Sequence, residues 1–211
     1  MTAGDPGLGK AAPPRLTVLS GPSGVGKSSV VAEVARRFPW LFISVSVTTR
    51  APRSGEHPGE QYHYVDRVTF AGMVERGELL EHAEFAGNLY GTPAAPVRDA
   101  LATGRPALLE IELQGARQIR ATMPEALMVM LVPPSWEALH GRLSGRGTED
   151  PAGRQRRLRV AREELEAVGE FDAAVVNDDV QRAAQELITL MVGTHPGLRR
   201  DCPTSEGIWR Q

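Results

Sequence analysis

A glycine-rich stretch near the start of the chain carries the residues best placed to do chemistry. It reads GPSGVGKSS and sets Gly21, Gly26, Lys27 and Ser28 in the spacing G-x-x-x-x-G-K-S. Glycines let successive backbone N–H groups turn toward phosphate oxygens, and a helix that follows adds its positive end. Lysine can then reach the outer phosphates, and serine can offer its hydroxyl to Mg²⁺. The stretch therefore predicts a nucleoside triphosphate site.

The surroundings of this loop favour that interpretation over a glycine turn that merely caps a helix. An apolar, β-branched run, RLTVLS, precedes the loop, and KSSVVAEVARRF follows it with apolar residues at helical spacing. Only two of the 24 basic residues are lysines, Lys10 and Lys27, which suggests a site that needs a compact ammonium. The residues predicted to bind the triphosphate are Gly21, Ser23, Gly24, Val25, Gly26, Lys27, Ser28 and Ser29.

Three later apolar segments of strand length predict the rest of the core. They are ALLEIEL (107–113), ALMVML (126–131) and AAVVN (173–177), each separated from the next by a helical pattern. Strands that alternate with helices form a parallel sheet with helices on both faces. The predicted fold class is therefore α/β, with a parallel-sheet core.

Two segments interrupt this alternation. Residues 44–97 are polar and rich in turns, and LLEHAEFAGNLYG within them predicts a hairpin around Gly87-Asn88, so we expect an inserted small antiparallel unit. Residues 141–159 crowd arginines around a Gly-Thr-Glu-Asp-Pro turn, which is typical of a mobile lid or of a solvated basic loop.

These patterns predict one domain over residues 15–192, a length that suits a single core. The predicted parts are a flexible leader (1–14), the core (15–43, 98–136 and 170–192), the insertion (44–97), a helical lid region (137–169) and a polar tail (193–211).

Composition excludes several classes of protein. Apolar residues make up 41% and charged residues 24%, and no apolar run reaches the length of a membrane span. The formal net charge of −2 argues against a general nucleic-acid surface. A single cysteine, Cys202, and five histidines without metal spacing predict neither a disulfide nor a metal cluster. We therefore expect a cytoplasmic protein, a monomer or small homo-oligomer, that binds neither membrane nor nucleic acid.

The segment SVSVTTRAPRSGEHPGEQYHYV (44–65) could bind a second phosphate group. It sets Arg50 and Arg53 three residues apart, with Tyr62 and Tyr64 downstream. Guanidinium forks bind phosphate in bidentate fashion, and a tyrosine hydroxyl can add a donor. A monophosphate is the predicted ligand, although an arbitrary arginine pair would more often lie on a solvated loop.

Six motifs in order give the chain a close resemblance to guanylate kinase, the nucleoside monophosphate kinase that transfers a phosphoryl group from ATP to GMP. The resemblance runs from about Leu16 to Val192. It covers the glycine-rich loop, the 44–65 segment, GELLEHAEFAGNLYGT, LEIELQGAR, RLSGRGTED and VVND.

The resemblance implies roles for individual residues in the acceptor site. Arg50, Arg53, Tyr62 and Tyr90 would hold the GMP phosphate, while Ser46, Glu81 and Thr92 would recognise guanine. A carboxylate such as Glu81 can accept hydrogen bonds from both N1–H and the exocyclic amine of guanine, a donor pair that adenine lacks.

On the donor side, the resemblance implies that Arg142, Arg146 and Arg157 of the lid approach the triphosphate and that Asn177 contacts adenine. The resemblance also assigns Glu110 and Glu112 to the GMP site, at positions where the family usually has aspartate at the second and often at the first. Glu112, with its longer side chain, would lie near the guanine amine or in the water shell of Mg²⁺. We expect Glu110 and Glu112 to share one face of a strand.

The implied reaction is Mg²⁺-dependent transfer of the γ-phosphoryl group of ATP to GMP, and to dGMP, in purine nucleotide metabolism. Two alternatives remain open from the sequence. A non-catalytic guanylate-kinase-like interaction module keeps the fold, although such modules tend to lose the glycine-rich loop. Another small kinase with the same loop could act on AMP, a pyrimidine nucleotide or a non-nucleotide alcohol.

Overall fold

A five-stranded parallel sheet forms the centre of the computed structural model, which describes residues 15–144 and 151–193. The strands, in chain order, are β1 (Leu16–Ser20), β2 (Phe42–Ile43), β3 (Ser46–Thr48), β4 (Tyr62–Tyr64), β5 (Leu79–Phe85), β6 (Asn88–Pro93), β7 (Ala107–Glu110), β8 (Leu127–Val132) and β9 (Ala173–Val176). Strands β2, β7, β1, β8 and β9 lie side by side in that order, and every pairing is parallel. The predicted parallel-sheet core is confirmed.

Helices connect and cover these strands. They are α1 (Lys27–Arg37), α2 (Arg67–Glu75), α3 (Ala94–Ala102), α4 (Leu113–Thr122), α5 (Trp136–Ser144), α6 (Pro151–Glu166) and α7 (Val180–Val192), with a 3₁₀ turn at Ala167–Glu170. All residues of β1 and β8 are buried, as expected for central strands of a covered parallel sheet. None of the helices within the described residues is long and apolar enough to cross a membrane.

The inserted segment folds into a second sheet, in the order β4-β3-β6-β5. Strands β5 and β6 form the predicted hairpin, but its turn is Ala86-Gly87 rather than Gly87-Asn88. Both turn residues have positive φ, 51° for Ala86 and 78° for Gly87, which suits the twist of a two-residue hairpin. The sheet is mixed rather than purely antiparallel, because β4 pairs with β3 in the parallel direction.

Several elements differ from the sequence expectations. Strand β7 ends at Glu110, and Glu112 is already the N-cap of α4, so the two glutamates do not share a strand face. The short strand β2 and the helices α2 and α3 were not predicted, and α3 spans the expected insertion boundary at residue 97. The predicted leader, most of the polar tail and residues 145–150, which include Arg146, lie outside the described residues.

Gly21, at the junction of β1 and the glycine-rich loop, is required by close packing. Its φ is +150°, and a Cβ added there would overlap the carbonyl oxygen of Leu131 on β8 and lie 3.3 Å from the carbonyl carbon. Because the obstacle is backbone in the central sheet, it cannot move aside without breaking strand pairing.

We expect Gly21→Ala to lower the free energy of unfolding by about 2–5 kcal/mol, since backbone strain and overpacking add. Gly104→Ala is the control, because Gly104 also has a positive φ, +83°, but its Cβ would meet nothing within 4 Å. That variant should lose about 1 kcal/mol in urea unfolding. Equal losses in the two variants would contradict the packing argument.

Candidate active site

The glycine-rich loop has the strand–loop–helix setting that a phosphate site requires. It leaves β1 after Ser20, and α1 begins at Lys27, with Gly26 as a left-handed N-cap. Within the loop, the N–H of Val25 donates to the carbonyl of Pro22 at 3.1 Å, which closes a turn. The first turn of α1 exposes Ser28 and Ser29. The N-terminal end of the helix therefore faces the place where anions are predicted to bind.

Lys27, the first residue of α1, is held by the loop that precedes it. Its side chain is only 9% exposed, and its ammonium donates to the backbone carbonyl of Gly21. Glu112 Oε1 lies 3.8 Å from the ammonium nitrogen. A buried ammonium needs such partners, since an unpaired one would carry a large desolvation cost.

Ser28 and Glu110 form the second polar contact at the start of α1. The Ser28 hydroxyl donates to Glu110 Oε1 at 2.8 Å. Burial raises the pKa of Glu110, and its bond to Ser28 and the charge of Lys27 oppose that rise. A hydroxyl and carboxylates at the end of a strand are hard oxygen ligands of the kind that suit Mg²⁺.

The side chains of Asn177 and Arg142 fix the glycine-rich loop through hydrogen bonds to its backbone. The Asn177 side chain is 3% exposed, and its Nδ2 donates to the carbonyl of Val25 at 2.7 Å. Arg142 Nη1 donates to the same carbonyl at 3.1 Å, and Nη2 donates to the carbonyl of Asn177 at 2.9 Å. The sequence predicted an adenine contact for Asn177, and that role stays a prediction. In the structure its carboxamide is engaged by the loop.

Helix α6, in the predicted lid region, contributes two side chains to the loop. Arg157 Nη2 donates to Ser23 Oγ at 3.1 Å, which brings a predicted lid arginine to the phosphate loop. Glu164 was not predicted. Its side chain is 7% exposed, and the backbone N–H of Ser23 lies 3.4 Å from its Oε2.

Glu164 therefore makes a third glutamate beside the loop, together with Glu110 and Glu112. Burial, with the neighbouring Glu112 charge adding to it, raises the pKa of Glu164. The sequence signal for this residue was weak, since Glu164 is one of several acids in REELEAV and its partner is 141 residues away.

Three predicted acceptor residues come together on the second sheet. Arg50 lies just beyond β3, Tyr62 lies on β4 and Tyr90 lies on β6. The two tyrosine rings are 5.8 Å apart and edge to face. The Arg50 guanidinium carbon lies 5.3 Å from the Tyr62 ring centroid, a cation–π distance. The cluster therefore offers a guanidinium and two phenol groups in one place.

Glu56, a residue that sequence reasoning missed, organises the loop beside this cluster. Arg50 Nη2 donates to Glu56 Oε1 at 3.0 Å, and the Tyr64 hydroxyl donates to Glu56 Oε2 at 2.8 Å. The backbone N–H of Arg53 also donates to Oε2, at 2.8 Å, while the Arg53 side chain is exposed. The Arg50 bond holds the pKa of Glu56 down at about 2. Glu56 stands in the stretch RSGEHPGE, but no pattern of neighbouring residues indicates that it binds Arg50 and Tyr64.

The predicted guanine reader, Glu81, is 5% exposed and lies at an irregularity of the β5–β6 hairpin. The pairing Leu79–Pro93 shifts by one residue before His82–Gly91, so two residues of β5 face one of β6. Such a bulge re-aims side chains. The Thr92 hydroxyl donates to Glu81 Oε1 at 2.7 Å, and burial raises the pKa of Glu81 to about 7. Ser46, at the start of β3, pairs with Tyr62 and is half-buried.

The two halves of the site meet at Tyr62. Burial raises the pKa of Tyr62 to about 12, and the charges of Glu110 and Glu112 contribute to that rise. These are the carboxylates that lie beside Ser28 and Lys27 of the loop. The predicted acceptor cluster is therefore within electrostatic range of the carboxylates beside the predicted donor loop.

The two buried glutamates predict how stability depends on pH. Glu81 and Glu164 have raised pKa values in the folded chain, so the folded state keeps protons that the unfolded chain releases above about pH 4.5. Their contribution to stability is complete below that pH and is lost as pH rises through the folded pKa, which is about 7 for Glu81.

We expect the free energy of unfolding to fall between pH 5.5 and 8.5, and Glu81→Gln or Glu164→Gln to remove about 1–3 kcal/mol of that fall each. Chemical denaturation at several pH values measures the difference. Glu84→Gln, at an exposed position of β5, is the control and should follow the wild-type profile. Buried-glutamate variants that also follow it would contradict the assignment.

Comparisons with known proteins agree with this geometry. The family model described as "Guanylate kinase" matches residues 13–193. The chain is 58% identical over 185 residues to "Guanylate kinase" of Thermobifida fusca (strain YX), covering 88% of this chain and 94% of that protein. It is 57% identical over 182 residues to "Guanylate kinase" of Frankia casuarinae (strain DSM 45818 / CECT 9043 / HFP020203 / CcI3), covering 86% and 99%.

A solved structure extends the similarity to the fold. The crystal structure of guanylate kinase from Anaplasma phagocytophilum superimposes with a TM-score of 0.70 at 31% identity, covering 92% of this chain and 90% of that chain. With a loop that presents Lys27 and Ser28 beside a second, arginine- and tyrosine-bearing site, and with a family match over most of its length, the chain belongs to the guanylate kinase family.

Proposed function

We propose that this chain transfers the γ-phosphoryl group of ATP to GMP, and to dGMP, with Mg²⁺, giving ADP and the guanosine or deoxyguanosine diphosphate. One observation carries the proposal. Tyr62, in the cluster with Arg50, lies within electrostatic range of Glu110 and Glu112, which are beside Ser28 and Lys27. An acceptor phosphate at the cluster would therefore lie next to a donor phosphate at the loop.

On the donor side, the loop N–H groups and Lys27 would bind the β- and γ-phosphates. The lid arginines Arg142 and Arg157 already contact the loop at Val25 and Ser23, so short side-chain movements would bring them to a bound triphosphate. Arg146 is assigned to the same role by resemblance. Phosphoryl transfer depends chiefly on positioning and on neutralising charge, which these cations would supply.

On the acceptor side, Arg50, Arg53, Tyr62 and Tyr90 would hold the phosphate of GMP. An oxygen of that phosphate would attack the γ-phosphorus in line, and the bond to the β–γ bridging oxygen would break to release ADP. Because the attacking oxygen is already ionised at neutral pH, the chain needs no general base.

The carboxylates near Ser28 fit a magnesium ion carried in with ATP. Ser28 would supply a hydroxyl ligand, and Glu110 and Glu112 would hold water molecules around the ion. When bound, the ion would neutralise charge on the donor phosphates. Within residues 15–144 and 151–193 no group of three histidine, cysteine or acidic side chains could hold a metal alone, so phosphate oxygens would complete the ligand set.

Glu81, Thr92 and Ser46 would recognise the base. The Glu81 carboxylate is buried beside a hydroxyl, so a base that leaves its oxygens without donors would pay the desolvation cost of that carboxylate. Guanine supplies two donors and adenine does not, which favours GMP over AMP. Free nucleotides as partners and a role in GMP recycling in the cytoplasm follow from this activity.

Lys27→Ala should lower kcat by about 10³ or more, because the lysine ammonium is the loop's own cation at the donor phosphates. Lys27→Arg should remain strongly impaired, since a planar fork does not fit the enclosed position beside the Gly21 carbonyl. Circular dichroism would check that both variants fold. Turnover at the wild-type level in the alanine variant would refute the role of the loop.

The acceptor is tested by measuring ADP release with GMP, dGMP, AMP, CMP and UMP. We expect turnover with GMP and dGMP, and a loss of about 100-fold in kcat/KM for GMP in Glu81→Gln with the KM for ATP unchanged, since the amide can accept with one oxygen only. Preference for AMP or CMP would identify a different kinase. Absence of turnover with all five would favour a binding module.

A further inference from the structure

The helix α4 packs its first turns against the strand that carries Glu81. It starts directly after Glu112 of the donor side and contacts β5, so it runs between the two halves of the site. Two of its residues, Gly115 and Gln118, are three positions apart and therefore lie on one face of the helix. Gly115 also belongs to the family motif LEIELQGAR, and Gln118 follows that motif directly.

Gly115 leaves the space that the Glu81 carboxylate fills. Gly115 is buried, and a Cβ added there would overlap Glu81 Oε2 and lie 2.9 Å from Glu81 Cδ. The carboxylate is thus confined between the helix backbone on one side and the Thr92 hydroxyl on the other, at 2.7 Å from Oε1. Every residue with a side chain at position 115 would compete with the carboxylate for that space.

Gln118 fixes the strand backbone next to Glu81. The His82 N–H donates to Gln118 Oε1 at 3.1 Å, and Gln118 Nε2 donates to the His82 carbonyl at 2.7 Å. Strand β5 is at the end of its sheet, so these groups would otherwise face outward. The Gln118 carboxamide therefore makes the hydrogen bonds to His82 that a neighbouring strand would otherwise make. His82 directly follows Glu81 and lies at the irregularity in the β5–β6 pairing.

We infer that Gly115 and Gln118 determine base specificity, by holding the Glu81 carboxylate in the one position from which it can accept both guanine donors. Neither residue would touch the nucleotide. They are positioning residues, and the inference rests on the proposed role of Glu81 in the proposed function.

The two substitutions should separate specificity from folding. Alanine is a better helix former than glycine by about 1 kcal/mol, so Gly115→Ala should keep α4 folded while it displaces the carboxylate. The carboxylate is the end of a side chain with rotatable bonds, so it gives way before the helix backbone does. Gln118→Ala should leave the space for the Glu81 carboxylate intact. It should increase the mobility of strand β5, which positions that carboxylate.

The experiment measures kcat/KM for GMP and for AMP, and KM for ATP, in wild type, Gly115→Ala, Gln118→Ala and a control, Gly169→Ala. Gly169 lies in the 3₁₀ turn, and a Cβ there would meet nothing within 4 Å. We expect the GMP-to-AMP ratio to fall by about tenfold or more in Gly115→Ala and by several-fold in Gln118→Ala, with KM for ATP within about twofold of wild type. Gly169→Ala should match wild type.

A double-mutant cycle tests whether Gly115 acts through Glu81. If it does, Glu81→Gln should cost much less in the Gly115→Ala background than in wild type, because the carboxylate has already lost its position. Fully additive losses would show that Gly115 affects GMP by another route and would overturn the inference.

Failure of the inference is distinguishable from failure of the proposed function. If wild type shows no preference for GMP, the proposed function is wrong. If wild type prefers GMP and Glu81→Gln abolishes that preference, while Gly115→Ala and Gln118→Ala retain it, the proposed function stands and the inference is wrong. A rise in KM for ATP and GMP alike and a fall in kcat, with a lowered melting temperature, would indicate a structural role only and would also overturn it.

Discussion

The candidate site depends on glutamates that hold its polar and cationic groups in fixed positions. Lys27, the Ser23 N–H, the Ser28 hydroxyl and Arg50 belong to the two predicted nucleotide sites, and each has a glutamate beside it. Their partners are Glu112, Glu164, Glu110 and Glu56, in that order. Polar groups gathered in a partly buried cleft need such partners, since unpaired ones are costly. The carboxylates thereby preserve the geometry that phosphate groups would use.

Gathering these carboxylates in one cleft has an electrostatic cost, which appears as raised pKa values on the donor side. Carboxylates that gather around one cleft repel one another and lose hydration, and the raised pKa values of Glu110 and Glu164 reflect both effects. Glu56 is the contrast, because its bonds to Arg50, Arg53 and Tyr64 hold its pKa at about 2. The Arg50–Glu56 contact on the acceptor side is therefore a stable ion pair, whereas burial disfavours the charge of Glu110 and Glu164 on the donor side.

The parts of the molecule that local patterns determine were predictable from the sequence. The loop at Gly21 to Ser28, the parallel strands and the β5–β6 hairpin each depend on neighbouring residues, so spacing and composition identify them. The α2 and α3 helices are nine residues each with weak periodicity, and they escaped the same reasoning. Glu164, Glu56 and Gly115 were missed for a different reason. Their roles arise from contacts with residues in other elements, such as Ser23 and Glu81, that no local pattern encodes.

The glutamate at position 112, where the family usually has aspartate, acquires a physical meaning from its place in the fold. It is the N-cap of α4, a position where the short side chain of aspartate bonds back to the N–H groups of the first helical turn. Among the described residues, the Glu112 carboxylate makes no such capping bond. Its longer side chain extends instead toward Lys27, at 3.8 Å. The carboxylate of Glu112 therefore pairs with the ammonium that is proposed to bind the donor phosphates, and it makes no capping bond at the start of α4.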